Sequence, residues 1–152
     1  MFQEYSCLFE INIYKRKMKT IVIISAICVC VSAMTHEELK SGIHTLQSIC
    51  MPETGATEQI INEIYDGNIN VDDENVQSYV ECMMKKFNIV DDNGNFNEEV
   101  TRDVVSAILD ENETEQLITE CSPISDANVH IKISKMLQCF AKYKTINSVL
   151  NS

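Results

Sequence analysis

The chain has 152 residues, enough for one domain and short for two, with 45% hydrophobic residues and no Trp. Its four Gly and two Pro supply few breakers, which favours long helices over the many tight turns of an all-β domain. A net charge of −11 repels phosphate backbones and anionic lipid, so no nucleic-acid partner is expected and solubility is favoured. No stable membrane insertion is expected either, on the length of the apolar run near the N-terminus.

The first readable element is residues 18–33, MKTIVIISAICVCVSA, with a basic start, an apolar stretch and a small-residue end in Ser32 and Ala33. That layout predicts a secretory signal peptide. Its uncharged run, from Thr20 to Ala33, is 14 residues, shorter than the roughly 20 that cross a bilayer as a helix. Residues 1–17 read as an N-terminal extension ahead of Met18 as the working start, and residues 34–152 as one secreted, extracellular domain. Processing removes Cys7, Cys28 and Cys30 and leaves Cys50, Cys82, Cys121 and Cys139. An even set in a small exported domain reads as two disulfides, with three possible pairings. Residues 1–33 also hold four basic and two acidic groups, so the remaining domain carries about −13.

Six helices are predicted within it. Thr35 and Glu38 form a capping box, followed by the stripe Leu39, Ile43, Leu46 and Cys50, with Pro52 and Gly55 ending the helix. Thr57 caps a short second helix carrying Ile60, Ile61 and Ile64, broken at Asp66-Gly67-Asn68. Asp72, Asp73 and Glu74 place negative charge where a third helix begins, and its stripe is Val76, Tyr79, Val80, Met83 and Phe87. Asp91-Asp92-Asn93-Gly94-Asn95 is a turn. A fourth helix starts near Asn97 with Val100, Val104 and Ile108 on one line, and a fifth runs from Glu113 to Cys121 with Leu117 and Ile118 inward. Ser122-Pro123 stops it. Ser125 then opens the sixth, with Val129, Ile133, Met136, Leu137 and Phe140, and the tail after it is weakly patterned.

Most chemical readings fail on residue type. A calcium loop starting at Asp91 needs Gly at position six and Glu at position twelve, where Phe96 and Arg102 stand. His36, His44 and His130 lie in no catalytic motif. The His-Asp pair and glycine-rich calcium loop of small secreted phospholipases are missing, and the cysteines lack zinc-type CxxC spacing. The expectation is therefore no enzyme, no metal and no cofactor.

The cysteine spacing is more informative. Cys50, Cys82, Cys121 and Cys139 are separated by 31, 38 and 17 residues. This resembles the insect odorant-binding protein pattern of six cysteines, with three residues between the second and third and eight between the fifth and sixth. Ser78 and His130 then stand where the second and fifth cysteines would be. SYVECMMKKFNIVDDNGNFNEE resembles that family's third helix and following turn, and HIKISKMLQCFAKY its last helix. CMMKKFNIVD is most similar to the four-cysteine ("minus-C") members found in bees.

The resemblance, which spans the whole domain, implies an all-α, compact six-helix fold enclosing an apolar cavity. It implies Cys50 paired with Cys82 and Cys121 with Cys139, and no third tie between helices three and six. It further implies a carrier of small apolar ligands such as odorants or pheromones, with an olfactory receptor as a candidate partner. By register, Ile43, Val80, Met84, Ile89, Val90, Ile118, Met136 and Phe140 fall at ligand-binding positions, and Met83, Met84 and Met136 supply adaptable side chains. Tyr79 and Tyr143 are candidates for a polar contact, each with a surface role as the plainer reading. His130 reads as a half-exposed helix residue rather than a pH sensor, and Asn112-Glu113-Thr114 is a glycosylation sequon. A non-olfactory scavenger of lipophiles and a protein-binding signalling module are the alternative functions.

Overall fold

Side-chain caps decide where the helices begin. The computed structural model describes residues 33–152, and the extension and the leader assigned to residues 18–33 lie outside them apart from Ala33. Seven helices follow in order: α1 (His36–Thr54), α2 (Glu58–Tyr65), α3 (Glu74–Lys86), α4 (Glu98–Val105), α5 (Glu111–Cys121), α6 (Val129–Ala141) and α7 (Ile146–Leu150). The fold is all-α, and its one extended pairing among the described residues is an isolated antiparallel bridge between Val90 and Phe96.

Each start has an identifiable acceptor for the orphan N–H groups of a first turn. Thr35 and Glu38 form the reciprocal box at α1, while Thr57, Asp73 and Asn97 cap α2, α3 and α4. Two starts differ from the sequence reading. α5 begins two residues earlier, because Asp110 and Glu113 form a second capping box. α6 begins at Val129 rather than near Ser125, because the Asn128 side chain accepts from the backbone of His130 and Ile131. Pro52 does not end α1 but sits inside its last turn, where it forfeits one backbone hydrogen bond and its ring crowds the carbonyl four residues before it. Gly55, at φ 70°, ends the helix in the left-handed conformation that favours glycine, and its N–H closes on the Met51 carbonyl.

The predicted count of six is one short. Thr145 accepts from the Ser148 N–H and caps α7, with Val149 buried beneath it. Five residues make no stable helix alone, so packing of α7 against α2 holds it.

α3 is the central helix. It packs against α1, α2 and α6, while α5 packs on α4 and α6. Its inward face of Val76, Tyr79, Val80, Met83 and Met84 is at most 6% exposed. Disulfides tie Cys50 of α1 to Cys82 of α3, and Cys121 of α5 to Cys139 of α6. Neither bond crosses from α3 to α6. A polar contact does: His130 Nδ1 of α6 lies 2.5 Å from the Glu81 carboxylate of α3, which also pairs with Lys85. Partial burial pushes the Glu81 carboxyl up, but hydrogen bonds from Lys85 and His130 outweigh it and hold it below the usual range.

Glu81 lies three positions after Ser78, on the same side of α3. The double substitution Ser78→Cys, His130→Cys is therefore expected to form a disulfide during oxidative folding. Closing a loop of 52 positions has a ceiling of roughly 4 kcal/mol, and forfeits a His130–Glu81 contact in which the histidine is half exposed, worth under about 1 kcal/mol. Thiol titration and a melting curve check it. Two free thiols in the folded variant would show that these positions do not oppose one another.

Candidate ligand cavity

The turn Asp91–Asn95 positions one edge of the cavity by using up its own polar groups. The Asp91 carboxylate accepts from the Asn93 and Asn95 backbone N–H groups and from the Asn95 side chain, and those bonds, Asn95's first, hold it below the ordinary carboxylate range. Gly94 (φ 73°) lies so close to α6 that a Cβ there would come within 2.5 Å of Val129 Cγ2. The turn is thereby pinned on α6, and Ile89 and Val90 before it are buried.

A cavity of about 100 Å³ lies among the helices. Leu39 and Ile43 of α1, Ile64 of α2, and Tyr79, Val80, Met83 and Met84 of α3 form one side, with Phe87 and Ile89 beyond the end of α3. Val104 and Val105 of α4, Ile108 and Leu109 after it, Leu117 of α5, and Leu137 and Phe140 of α6 form the other. Lys144, Ile146 and Val149 complete the wall. All of these but Tyr79 and Lys144 have side chains without oxygen or nitrogen, so the space favours apolar contents.

Five of the eight positions expected from register, Ile43, Val80, Met84, Ile89 and Phe140, come together on this wall. Val90, Ile118 and Met136 do not reach it and are packed in the core at 2%, 5% and 0% exposure. Their sequence neighbours Ile89, Leu117 and Leu137 line the cavity instead. On a helix adjacent residues point about 100° apart, which separates Leu117 from Ile118 and Leu137 from Met136. Ile89 and Val90 instead lie past the end of α3, where Val90 enters the bridge to Phe96.

Tyr79 is nearly fully buried, and its hydroxyl lies 2.9 Å from that of Tyr65, which in turn donates to the Gln47 side-chain oxygen at 3.4 Å. Gln47 Oε1 only accepts, so Tyr79 is the donor to Tyr65. Burial, with this donated bond second, pushes the Tyr79 hydroxyl well above its ordinary range, and burial raises Tyr65 as well. Both stay neutral. Tyr143 is absent from the wall; desolvation, then its bond to Glu120, raises it.

The wall residues of the tail were missed in the sequence. A signal was present in Thr145 three residues before Ser148, followed by Ile146, Val149 and Leu150 at helical spacing. Among the described residues no cluster of three or more potential metal ligands exists, and no helix is long and apolar enough to cross a membrane.

The family model described as PBP/GOBP family matches residues 32–143. The chain belongs to the PBP/GOBP family. At the level of the family, this is a group of carriers for odorants and pheromones, and the activity is binding rather than catalysis. The solved structure of Apis mellifera odorant binding protein 5 is similar to this PBP/GOBP chain with a TM-score of 0.64 and 17% identity. The likeness covers 77% of this chain and 98% of that one, and it is a likeness of fold. The family match stops at Tyr143, one residue short of the tail segment that completes the cavity.

Proposed function

We propose that the chain is a secreted carrier that takes up small apolar molecules of the odorant or pheromone type in this cavity and releases them unchanged. The observation that carries the reading is the wall itself, in which all but two side chains lack oxygen and nitrogen. Ile49, at 37%, is the one large hydrophobic residue standing open to solvent among the described residues, which favours an interior ligand over a protein docked on an apolar surface patch. The four cysteines after Ala33, all bridged, fit the four-cysteine subclass, and the leader at residues 18–33 fits export into an oxidising compartment. Ile43, Val80, Met84, Ile89 and Phe140 are the contacts we assign to the ligand. An olfactory receptor is the partner this role would serve.

A volume of about 100 Å³ is below the roughly 150 Å³ in which an apolar cavity takes up benzene. Larger ligands therefore require the wall to give, and Met83 and Met84, unbranched and flexible, are placed to do so. Burying about 300 Å² of ligand surface is worth roughly 7–8 kcal/mol. Immobilisation offsets part of it, so dissociation constants of about 3–50 μM are expected. Displacement of a fluorescent apolar probe by terpenoids, phenolics and fatty alcohols measures them. Failure of every such compound to compete below about 100 μM would overturn the reading.

A further inference from the structure

The wall has two polar side chains, and only one has donors left to give. The Tyr79 hydroxyl is engaged with Tyr65, whose own proton goes to Gln47. Lys144 is different. Among the described residues its ammonium makes no ion pair and no hydrogen bond, although acidic groups outnumber basic ones by 23 to 12 in the chain. Lys40, Lys85, Lys86, Arg102 and Lys135 have carboxylate partners, and of the remaining cations among the described residues, Lys132, Lys142 and Lys144, only Lys144 lines the cavity. Its backbone is fixed between α6 and α7, with its N–H donated to the Phe140 carbonyl at 3.2 Å. Phe140 before it and Ile146 after it are both wall residues, and Lys144 itself is half-buried. A lysine half-buried at such a wall can lay its apolar stem along the cavity and keep its ammonium at the water boundary.

We propose that Lys144 makes this cavity a site for singly charged amphiphiles, medium-chain fatty acids being the ligand class. The proposal rests on the carrier reading and names its ligand. The alkyl chain occupies the apolar space and the carboxylate accepts from the Lys144 ammonium at the boundary between cavity and water, a charge-assisted bond. A monoanion suits the surroundings better than a phosphate ester, because the domain is strongly acidic and a second negative charge doubles the repulsion against a single cation.

The test compares octanoic acid with octan-1-ol, of equal chain length, on the purified wild-type protein and on Lys144→Met, which keeps an unbranched apolar stem and removes the charge. Octan-1-ol, whose neutral hydroxyl makes the weaker bond to an ammonium, should lose clearly less than octanoate, and a melting curve reports that the variant is folded. Octanoate should bind it about tenfold more weakly, the usual scale for one charge-assisted bond discounted for partial exposure. Lys144→Arg should keep the acid preference. In wild type, raising NaCl from 0.05 to about 0.5 M should weaken octanoate and spare the alcohol. Equal octanoate affinity in wild type and Lys144→Met, or no salt effect on octanoate, overturns the proposal while alcohol binding leaves the carrier reading standing. If neither compound binds wild type, the carrier reading fails and this proposal with it.

Discussion

Replacing Cys50 and Cys82 together with serine is expected to destabilise the fold by about 3–4 kcal/mol, from the entropy released by a loop of 32 positions. That is a large share of the roughly 5–15 kcal/mol by which domains of this size are stable. The bond joins α1 to α3, and both helices contribute cavity wall, so its loss also loosens the site. Cys50 is fully buried, and a serine there adds a hydroxyl without an evident partner, which costs more than the tether alone. Removing Cys121 and Cys139 should cost slightly less, about 3 kcal/mol, because that loop spans 18 positions. Urea unfolding measures both. A loss below about 1 kcal/mol for the first pair, or the reverse order of the two, would show that the loops are already constrained in the unfolded chain.

Val80→Phe is expected to abolish most binding while leaving a folded protein. Val80 is fully buried mid-way along α3 and faces the cavity. A benzyl group in place of an isopropyl group fills much of a space of about 100 Å³. Overpacking costs about 1–3 kcal/mol in a dense core, less here because part of the added volume enters a void. The affinity for octan-1-ol should fall more than about tenfold, a change of roughly 1.4 kcal/mol. Met136→Ala is the counterpart. Met136 is equally buried but lies off the wall, so its truncation should cost about 2–5 kcal/mol of stability and leave the dissociation constant within about twofold. Titration of both variants with one ligand separates the two effects. Unchanged binding in Val80→Phe beside weakened binding in Met136→Ala would mean that the ligand sits elsewhere.

Much of the helical layout is legible because caps are local. The Thr35–Glu38 box and the Thr57, Asp73 and Asn97 caps each act within four residues and are visible in the chain. The box at Asp110 and Glu113 was equally local, and reading it would have placed the start of α5 correctly. The start of α6 is harder, since Ser125, Asp126 and Asn128 are all capping types and only the backbone path after Pro123 selects Asn128. The cavity is harder still. Ile89, Leu117 and Leu137 line it while Val90, Ile118 and Met136 do not, and every one of the six is apolar. Where both sides of a segment are buried, hydrophobicity cannot tell the side that meets another helix from the side that meets a void.

Composition, caps and cysteine spacing by themselves determined an acidic all-α domain, the resemblance to a carrier family and the sets of residues that must be buried, because these depend on residue type and on contacts a few positions apart. Only the tertiary structure decided which buried residues border empty space, that the tail forms α7 and closes the wall with Lys144, Ile146 and Val149, and that His130 meets Glu81 across α3 and α6. A void is set by the distance between whole helices, and five residues become a helix only against a surface that is already there. The Thr145 cap marks locally where α7 can start, but the surface that holds it and the width of the void are not written in any local stretch of the chain.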